Sequence, residues 1–458
     1  MACTRHFYFL VLLSVTVCIA ADVGYIWHVT DFHYEVNYTA GDYPESSCRD
    51  LQGETPHYWG DYRCDSPWTL INSSVYAMHK IQSNPDFIVW TGDDTPHVPN
   101  DNLDTDKVLA YIWNLTALLV EVFPEKTIFP VLGNHDYHPK HQMPPEPNPV
   151  YTQVSKWWND HWLGQYEGVN DTFTQAAYYT VEYKPGHRIV GLNTVYYYTN
   201  DKLTAEMEDP GNQFQWLEEI LTNAMDTDEK IYIIGHVPPG VFERHAGKSW
   251  FYPKFNERYI SIIRKYHQVI YGQFFAHQHD DSFRIFYDEQ DRAVSSLLLA
   301  PAVTPWNTTL SGVGPNNPGI RLLEFDRDTW EILDIKQYYL NLSKTESSSE
   351  PEWILEYSAA EEYNIPDVTT ESLQKLVDSF GDKESDNFQK YYLYNSVSYD
   401  QGKCDDQCKT EQICAITKVD FEDYSTCLAE GAVDGVNPLV ASAFFVFNAF
   451  LILVHIMI

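Results

Sequence analysis

Basic residues are scarce in this sequence. Only 30 Lys and Arg stand against 65 Asp and Glu, which gives a formal net charge of −35. Such a surface repels a phosphate backbone, which argues against a nucleic-acid polymer as partner, except at a local positive site such as a metal centre. The 17 His can charge in an acidic compartment and offset part of this excess, but a solvated acidic surface explains most of it equally well.

Two other features are missing. No Gly-x-Ser-x-Gly elbow occurs, so a serine-type hydrolase has no support. No internal repeat is present either, and 458 residues suffice for one large domain plus an appended one.

Both ends have the composition of processing signals. Arg5 and His6 precede an apolar run at 7–17 and a small-residue cleavage site at 18–20, so residues 1–20 are predicted to be a signal peptide, with a signal anchor as the alternative. The apolar run 439–458 has no Lys or Arg after it and follows small residues at 429–432 and a short polar spacer. Residues 431–458 are therefore predicted to be a GPI-anchor signal that is removed, with a single membrane span as the alternative.

Cysteine use agrees with secretion. Cys3 and Cys18 leave with the signal, and the other six are predicted to form disulfides rather than a zinc knuckle, because no His is suitably placed. Six Cys allow fifteen pairings, and closeness in sequence favours these three: Cys48–Cys64, Cys404–Cys408 and Cys414–Cys427. N-glycans are predicted at six sequons: Asn37, Asn72, Asn114, Asn170, Asn307 and Asn341.

Short apolar strands alternate with longer helical patterns from Gly24 onward, which predicts a layered α/β domain. The strands are predicted at 24–29, 87–91, 127–132, 189–193, 231–235, 269–275, 293–299 and 320–325. Helices are predicted at 70–82, 107–123, 214–223, 256–266, 371–380 and 387–394. The catalytic domain is placed at 21–345, followed by a Ser- and Glu-rich linker and a small helical, disulfide-stapled subdomain at 346–430.

Polar motifs directly follow five of these strands. Imidazole nitrogen together with carboxylate or amide oxygen suits zinc-like ions, and alternate residues at a strand end can face one cavity. A lone His is more often hydrogen-bonded scaffolding and Gly-Asp is usually a turn, but five motifs in this order favour a dimetal site. They are Asp31-x-His33, Gly92-Asp93, Gly133-Asn134-His135-Asp136, Gly235-His236 and His277-x-His279.

Asp93 is predicted to bridge the two ions, because a carboxylate has two oxygens to offer. One ion would then be held by Asp31, His33, Asp93 and His279. The other would be held by Asp93, Asn134, His236 and His277.

This ordered set resembles the calcineurin-like metallophosphoesterases, and the flanking segments are similar to the acid sphingomyelinase-like phosphodiesterases. Those segments are GDDTPH at 92–97, GHVPPG at 235–240, APAVTPW at 300–306 and NPGIR at 317–321. The resemblance covers residues 22–430 and implies a four-layer αββα sandwich with two Zn²⁺ per chain. The GPI-like tail favours the membrane-anchored B-type branch over the secreted A-type.

Three departures from the family pattern stand out. Ala276 replaces the usual Gly before the H-x-H motif, and Gln278 is an unusual middle residue, although neither removes a ligand. The catalytic strand follows the signal directly, without the saposin-like domain and Pro-rich linker of acid sphingomyelinase. This places extraction of sphingomyelin from a bilayer in doubt.

In a two-metal site the ions orient the phosphate, activate a bridging hydroxide for in-line attack and stabilise the leaving oxygen. His135 lies beside a ligand, a position suited to stabilising phosphoryl oxygens or protonating the leaving group, and Asp136 either orients it or caps the turn. The resemblance assigns a similar role to His97, which from the residues alone is only a loop histidine. The other His are interpreted as surface or packing residues, such as His57, His79, His141, His187 and His245.

The sequence thus predicts an extracellular zinc-dependent phosphodiesterase, a monomer held at the outer membrane leaflet by a GPI anchor. The resemblance implies phosphodiester or phosphoanhydride substrates, either nucleotides or phosphocholine-type groups including phospholipid head groups. Loop 139–149 and residues 196–198 are expected to set specificity by stacking on a base or packing on choline. The alternative is a GPI-anchored binding or scaffold protein without turnover, against which the complete ligand set and His135 argue.

Overall fold

Two six-stranded sheets form the centre of the molecule in the computed structural model, which describes residues 21–38, 46–347, 349–382 and 384–434. The first sheet contains, with the strands numbered in chain order, β1 (Val23–Val29), β2 (Phe87–Trp90), β3 (Ile128–Pro130), β10 (Gly319–Asp326), β11 (Ile332–Tyr339) and β12 (Ile354–Ser358). Its strand order is β12-β11-β10-β1-β2-β3. The second sheet has the order β4-β5-β6-β7-β9-β8 and contains β4 (Tyr179–Lys184), β5 (His187–Gly191), β6 (Lys230–Ile234), β7 (Ile270–Phe275), β8 (Ser282–Tyr287) and β9 (Ala293–Leu299).

Eleven α-helices flank the sheets in the described part of the chain. The first six are α1 (Trp68–Ile81), α2 (Thr105–Val122), α3 (Pro149–Trp158), α4 (Val169–Ala176), α5 (Gln213–Thr227) and α6 (Pro253–Tyr266). The other five are α7 (Ala359–Glu362), α8 (Thr370–Ser379), α9 (Asn387–Asn395), α10 (Asp406–Thr417) and α11 (Phe421–Asp434).

The two sheets face each other through aromatic rings. His28 of β1 lies 5.9 Å from Phe274 of β7, and Phe87 of β2 lies 5.1 Å from Tyr183 of β4, measured between ring centroids. Helices cover the outer faces: Trp158 of α3 contacts Trp90 of β2, while Tyr259 of α6 donates a 2.7 Å hydrogen bond to Gln273 of β7. The predicted layered α/β class is confirmed, because burying both faces of each sheet requires this stacking.

The eight predicted strands are confirmed within two residues at every end, because each contains neighbouring apolar residues that are buried in the core. Four further strands were not predicted. Strand β4 lies at a sheet edge and is half exposed, and the apolar residues of β8 are interrupted by the buried Arg284. Strands β11 and β12 likewise have polar or exposed residues among their apolar ones, such as Asp334 and Lys336 in β11.

The region after residue 346 is helical from α7 onward, but it begins with a strand. Strand β12 pairs antiparallel with β11 and extends the first sheet, with Lys336 opposite Ser358. The three predicted disulfides are confirmed: Cys48–Cys64 in the N-terminal half, Cys404–Cys408 at the start of α10, and Cys414–Cys427 between α10 and α11.

Both predicted terminal signals depend on residues outside those described. Residues 1–20 and residues 435–458 of the GPI-anchor prediction fall there. Among the described residues, no helix meets the length and apolarity needed to traverse a bilayer.

Parallel pairing brings the polar motifs to one edge of the fold. Strands β1, β2 and β3 run parallel in the first sheet, and β5, β6 and β7 run parallel in the second. The five motifs follow β1, β2, β3, β6 and β7, at their carboxyl ends, where open α/β sheets place ligands. At this edge His236 Nδ1 lies 2.7 Å from the carbonyl oxygen of Thr91, which joins the two sheets.

Candidate metal centre

The backbone turns sharply at the strand ends that carry the motifs. Five of the seven predicted metal ligands have a positive φ: Asp31 (49°), His33 (42°), Asp93 (60°), His277 (76°) and His279 (67°). Left-handed backbone costs about 1–2 kcal/mol for a residue with a Cβ. Such strained conformations concentrate at functional sites, where the surrounding structure enforces them.

A first group of possible ligand atoms forms at the end of β1. Asp31 Oδ1 lies 3.6 Å from His33 Nε2 and 3.3 Å from His279 Nε2. Asp31 Oδ1 and His33 Nε2 are buried and have no hydrogen-bond partner among the described residues. Buried polar atoms are seldom left unpaired, so the convergence of these atoms fits the binding of a cation.

A second group forms around His236. Its Nε2 lies 3.1 Å from Asp93 Oδ2 and 3.1 Å from Asn134 Oδ1. His277 completes a set with Asp93 and His236 whose ligand atoms are all within 4.8 Å of one another, and neither of its ring nitrogens has a partner in the described chain. Asp93 Oδ2 also lies 3.5 Å from His33 Nε2, so this carboxylate stands between the two groups.

The tautomers of two imidazoles are fixed by backbone carbonyls. His33 Nδ1 donates to the carbonyl oxygen of Thr95 at 2.7 Å, and His236 Nδ1 donates to that of Thr91 at 2.7 Å. A carbonyl can only accept, so the proton is on Nδ1 and the Nε2 lone pair is free for a metal. Together with carboxylate and amide oxygens this donor set fits a zinc-like ion.

Asp136 holds the turn at Asp93 and makes no hydrogen bond to His135 among the described contacts. Its carboxylate accepts hydrogen bonds from the backbone N–H groups of Gly133, Asp93 and Asp94 at 2.7–2.8 Å. Burial, and then the charge of Asp93, raise the pKa of Asp136 to about 6. Of the two predicted roles for Asp136, the structure shows the turn-capping one. The backbone N–H of His135 instead donates to Asp93 Oδ1 at 2.7 Å.

Gly92 leaves no room for a side chain where the two turns meet. It has φ +84°, and a Cβ there would overlap the backbone nitrogen of Gly133 and lie 2.8 Å from the carbonyl oxygen of Val131. Gly186 offers a matched control, since its φ is +76° but nothing lies within 4 Å of its Cβ position.

We expect Gly186→Ala to lower the free energy of unfolding by about 1–2 kcal/mol, the cost of the left-handed backbone alone. Gly92→Ala is expected to lower the free energy of unfolding by more than this, because the added Cβ also overlaps backbone atoms. It is also expected to lower the metal content by displacing Asp93. Thermal unfolding measures the stability of both variants, and elemental analysis measures their metal content. Equal losses of stability with full metal content in both variants would contradict the role given to Gly92.

His97 and His135 lie together beside the first ligand group. Their ring centroids are 4.4 Å apart. The ring centroid of His33 lies 4.1 Å from that of His97 and 4.9 Å from that of His135. Burial lowers the pKa of His97 to about 3 against the opposing charge of Asp65, and burial followed by His97 lowers that of His135 well below its usual value. Without a bound anion both imidazoles are neutral at neutral pH.

Asp65 fixes the orientation of His97, a role that the sequence analysis missed. Its Oδ1 lies 2.9 Å from His97 Nδ1 and accepts from Thr304 Oγ1 at 3.1 Å, while its Oδ2 accepts from the His97 backbone N–H at 2.6 Å. Burial alone would raise the pKa of Asp65, but His97 lowers it below its usual range. Trp306 also holds the His97 ring, because the two rings stack with their centroids 3.7 Å apart. The guanidinium carbon of Arg49 lies 4.4 Å from the centroid of the same indole. Asp65 follows Cys64 outside any motif, so no sequence signal marked it.

A cavity of about 250 Å³ opens in front of both groups. His141, interpreted from the sequence as a surface or packing residue, lines it, and its Nδ1 lies 3.0 Å from Asn134 Nδ2. This is a correction: loop 139–149 folds back over the site and brings the imidazole in. Of the tyrosines at 196–198, Tyr198 lines the cavity while Tyr196 and Tyr197 are fully buried in the core.

The two departures in the H-x-H motif have a structural explanation. Ala276 is not among the residues with positive φ, since the left-handed turns fall on His277 and His279, so a glycine is not required there. Gln278 Oε1 accepts a 3.1 Å hydrogen bond from Arg284 Nη2. Arg284 is in turn paired with buried Glu243 at 2.5 Å, so this motif is anchored from behind by an ion pair.

Helix α9 of the C-terminal region contacts the same Arg284–Glu243 ion pair. Asn395 of α9 donates from Nδ2 to Glu243 Oε1 at 3.1 Å, and its carbonyl oxygen accepts from the backbone N–H of Asp281 at 3.0 Å. The loop with His277 and His279 is therefore held by contacts from both parts of the chain.

Comparison with known proteins identifies related sequences over most of the chain. Residues 24–281 match the family described as calcineurin-like phosphoesterase, and residues 292–434 match the acid sphingomyelin phosphodiesterase C-terminal region. The acid sphingomyelinase-like phosphodiesterase 3b of Homo sapiens is 46% identical over 418 residues, which cover 89% of this chain and 90% of that protein. The cyclic GMP-AMP phosphodiesterase SMPDL3A of Bos taurus is 41% identical over 414 residues, covering 89% and 91%. The sphingomyelinase phosphodiesterase C of Dictyostelium discoideum is 35% identical over 437 residues, covering 92% and 96%.

Proposed function

Because this chain belongs to the calcineurin-like phosphoesterases, as an acid sphingomyelinase-like phosphodiesterase, and is thus a phosphoric diester hydrolase, we propose that it works with two Zn²⁺ ions at the groups described above. The observation that carries the proposal is the Asp93 carboxylate, which lies 3.1 Å from His236 Nε2 and 3.5 Å from His33 Nε2. One ion is assigned to Asp31, His33, Asp93 and His279, and the other to Asp93, Asn134, His236 and His277.

Ions bound there would orient the phosphate, make a water nucleophilic and stabilise the charge on the departing oxygen. The chain itself supplies the proton donors. His97 directs Nδ1 at Asp65, so Nε2 is the nitrogen left for substrate. The negative charge of a bound phosphate opposes the lowering of the His97 pKa by burial, and the protonated ring then donates Nε2–H to a phosphoryl oxygen.

We assign His135 the role of protonating the leaving group. It is 5% exposed, lies against His97, and is fixed by its backbone N–H to Asp93 Oδ1. The negative charge of a bound phosphate also opposes the lowering of the His135 pKa, so the ring takes up a proton from solvent when substrate binds. As the phosphorus–oxygen bond to the leaving group breaks, this proton passes from the imidazolium to the departing oxygen and the ring returns to its neutral form.

We assign small phosphodiester or phosphoanhydride substrates of the nucleotide or phosphocholine type. Support comes from the cavity, whose aromatic walls Tyr198, Trp250 and Trp306 suit a base or a choline group. One relative is named a cyclic GMP-AMP phosphodiesterase and others carry sphingomyelinase names.

We place the enzyme, as a monomer with N-glycans, on the outer cell surface under a GPI anchor. The three disulfides support passage through an oxidising compartment. The six sequons and the composition of residues 431–458 support the glycans and the anchor.

Chelation is expected to abolish hydrolysis of bis(p-nitrophenyl) phosphate, and Zn²⁺ is expected to restore it. Elemental analysis of the purified protein should find two zinc ions per chain. Of the three possible metal-ligand groups among the described residues, two contain a carboxylate, and the third, His33 with His97 and His135, shares His33 with the first of them. Added Mg²⁺, which prefers all-oxygen ligands, serves as the control and should restore little. Full turnover by metal-free protein would refute the mechanism, and bound zinc without turnover of any diester would favour the scaffold alternative.

A further inference from the structure

Lys248 gives the substrate cavity a positive charge away from the metal groups. Among the described residues that line this cavity it is the one Lys or Arg, and Asp93 is the one carboxylate. Its backbone is fixed in a short hairpin, where Phe242 N donates to the carbonyl oxygen of Lys248 at 2.8 Å and Lys248 N donates to that of His245 at 3.0 Å. An antiparallel bridge between Val241 and Ser249 closes the hairpin. These hydrogen bonds fix the position of the Lys248 backbone at the cavity.

The ammonium lies one ring away from a predicted metal ligand. Lys248 Nζ is 4.8 Å from the centroid of the Trp250 indole, and that indole lies 4.4 Å from the His277 ring. Lys248 and His277 thus contact the same indole, and all three side chains line one cavity. The ammonium is therefore available to a group covalently attached to a phosphate held at the metal groups.

No carboxylate of the described residues forms an ion pair with this cation. Within the described chain no Asp or Glu oxygen lies within 4.0 Å of Lys248 Nζ, although the whole sequence carries a formal net charge of −35. Burial, and then the like charge of Lys202, lower the pKa of Lys248. A half-buried cation without a counter-charge is unfavourable, and an anionic ligand would stabilise it.

Lys248 also disfavours the binding of a cationic ligand in this cavity. The rings of Tyr198 and Phe242 lie 6.0 and 5.6 Å from Trp250, and such an aromatic cluster would ordinarily suit a quaternary ammonium group. Here the ammonium of Lys248 already lies over Trp250. A choline group placed beside it would meet a like charge in a partly desolvated cavity.

We propose that Lys248 is a specificity residue that binds a second phosphate of the substrate, next to the one at the metal centre, and that it disfavours phosphocholine-type ligands. This deepens the proposed function and rests on it, because the scissile phosphate is placed at the metal groups. The ligand class is a nucleotide with at least two phosphates.

The test compares AMP, ADP and phosphocholine as competitive inhibitors of bis(p-nitrophenyl) phosphate hydrolysis by the zinc-loaded full chain. In the wild type we expect ADP to bind about tenfold more tightly than AMP, the effect of one charge-assisted hydrogen bond. Lys248→Met keeps an apolar stem over Trp250 and removes the charge, so the preference for ADP should disappear and phosphocholine should bind several-fold more tightly. Lys248→Arg should keep the preference for ADP.

Lys254→Met is the matched control. Its ammonium also lies over a ring, 5.0 Å from the centroid of Phe255, but Lys254 does not line the cavity. It should behave as the wild type towards all three ligands. An unchanged ratio of AMP to ADP affinity in Lys248→Met, or no preference for ADP in the wild type, would overturn the assignment of Lys248.

The two proposals fail differently. If the wild type does not hydrolyse bis(p-nitrophenyl) phosphate, the proposed function is wrong. Calorimetric titration of AMP and ADP into the zinc-loaded wild type and Lys248→Met proteins then still decides whether Lys248 binds the second phosphate.

Discussion

Replacement of Asp93 by asparagine is expected to lower kcat/KM for bis(p-nitrophenyl) phosphate by about 10³-fold or more, if the metal centre contributes several kcal/mol to catalysis. The amide retains the size of the side chain but removes the charge shared between the two donor groups. It also alters the acceptor for the backbone N–H of His135, which lies 2.7 Å from Asp93 Oδ1. We therefore expect both metal content and turnover to fall.

Kinetics and elemental analysis of the same preparation measure the effect, and Asp101→Asn is the control. Asp101 is exposed and lies outside the cavity, so the same change of charge there should leave both quantities unchanged. An Asp93→Asn protein that retains two zinc ions and wild-type turnover would show that Asp93 does not bridge them.

Replacement of His135 by alanine is expected to lower kcat by about 10²–10⁴-fold, the usual contribution of a general acid. The metal content should remain at the wild-type level, because His135 is not one of the seven assigned ligands. The loss should depend on the substrate. It should be largest for a dinucleoside phosphate, whose alkoxide needs a proton, and smaller for a nitrophenyl ester, whose phenolate departs without one.

His57 provides the matched control, since His57→Ala removes an exposed imidazole that does not line the cavity. Thermal unfolding of both variants separates a catalytic effect from misfolding. If His135→Ala loses the same factor on both substrates, the residue stabilises phosphoryl oxygens rather than protonating the leaving group. If it loses nothing on either, the role is wrong.

The central strands were predictable because parallel strands buried on both faces appear as continuous apolar runs. The motif residues follow those runs directly, so their order along the chain predicted which side chains meet, and Asp31 and His279 lie 3.3 Å apart in the structure. Edge strands such as β4 and β12 have no such run, because half of their residues face solvent.

The residues around the ligands could not be found in the same way. Asp65, His141 and Lys248 lie on loops, and nothing in their local sequence indicates that those loops return to the strand ends. Their roles depend on contacts made after folding, such as Asp65 with His97 and Lys248 with Trp250. Hydrophobic periodicity in the sequence predicts helices and strands. Contacts between loop residues that are far apart in the sequence produce no such periodicity.

The ion pair behind the H-x-H motif has a consequence for how this protein can be divided. The two matched family segments meet between residues 281 and 292, yet Glu243 of the first is bonded to Asn395 of the second, and β12 completes the sheet of β1. A fragment that ends with the first segment, at residue 281, would leave the buried Glu243 without both Arg284 and Asn395 and would lack five strands, β8 to β12. Truncation in the second half is therefore expected to disturb the loop that carries His277 and His279, because Arg284 and Asn395 both support it.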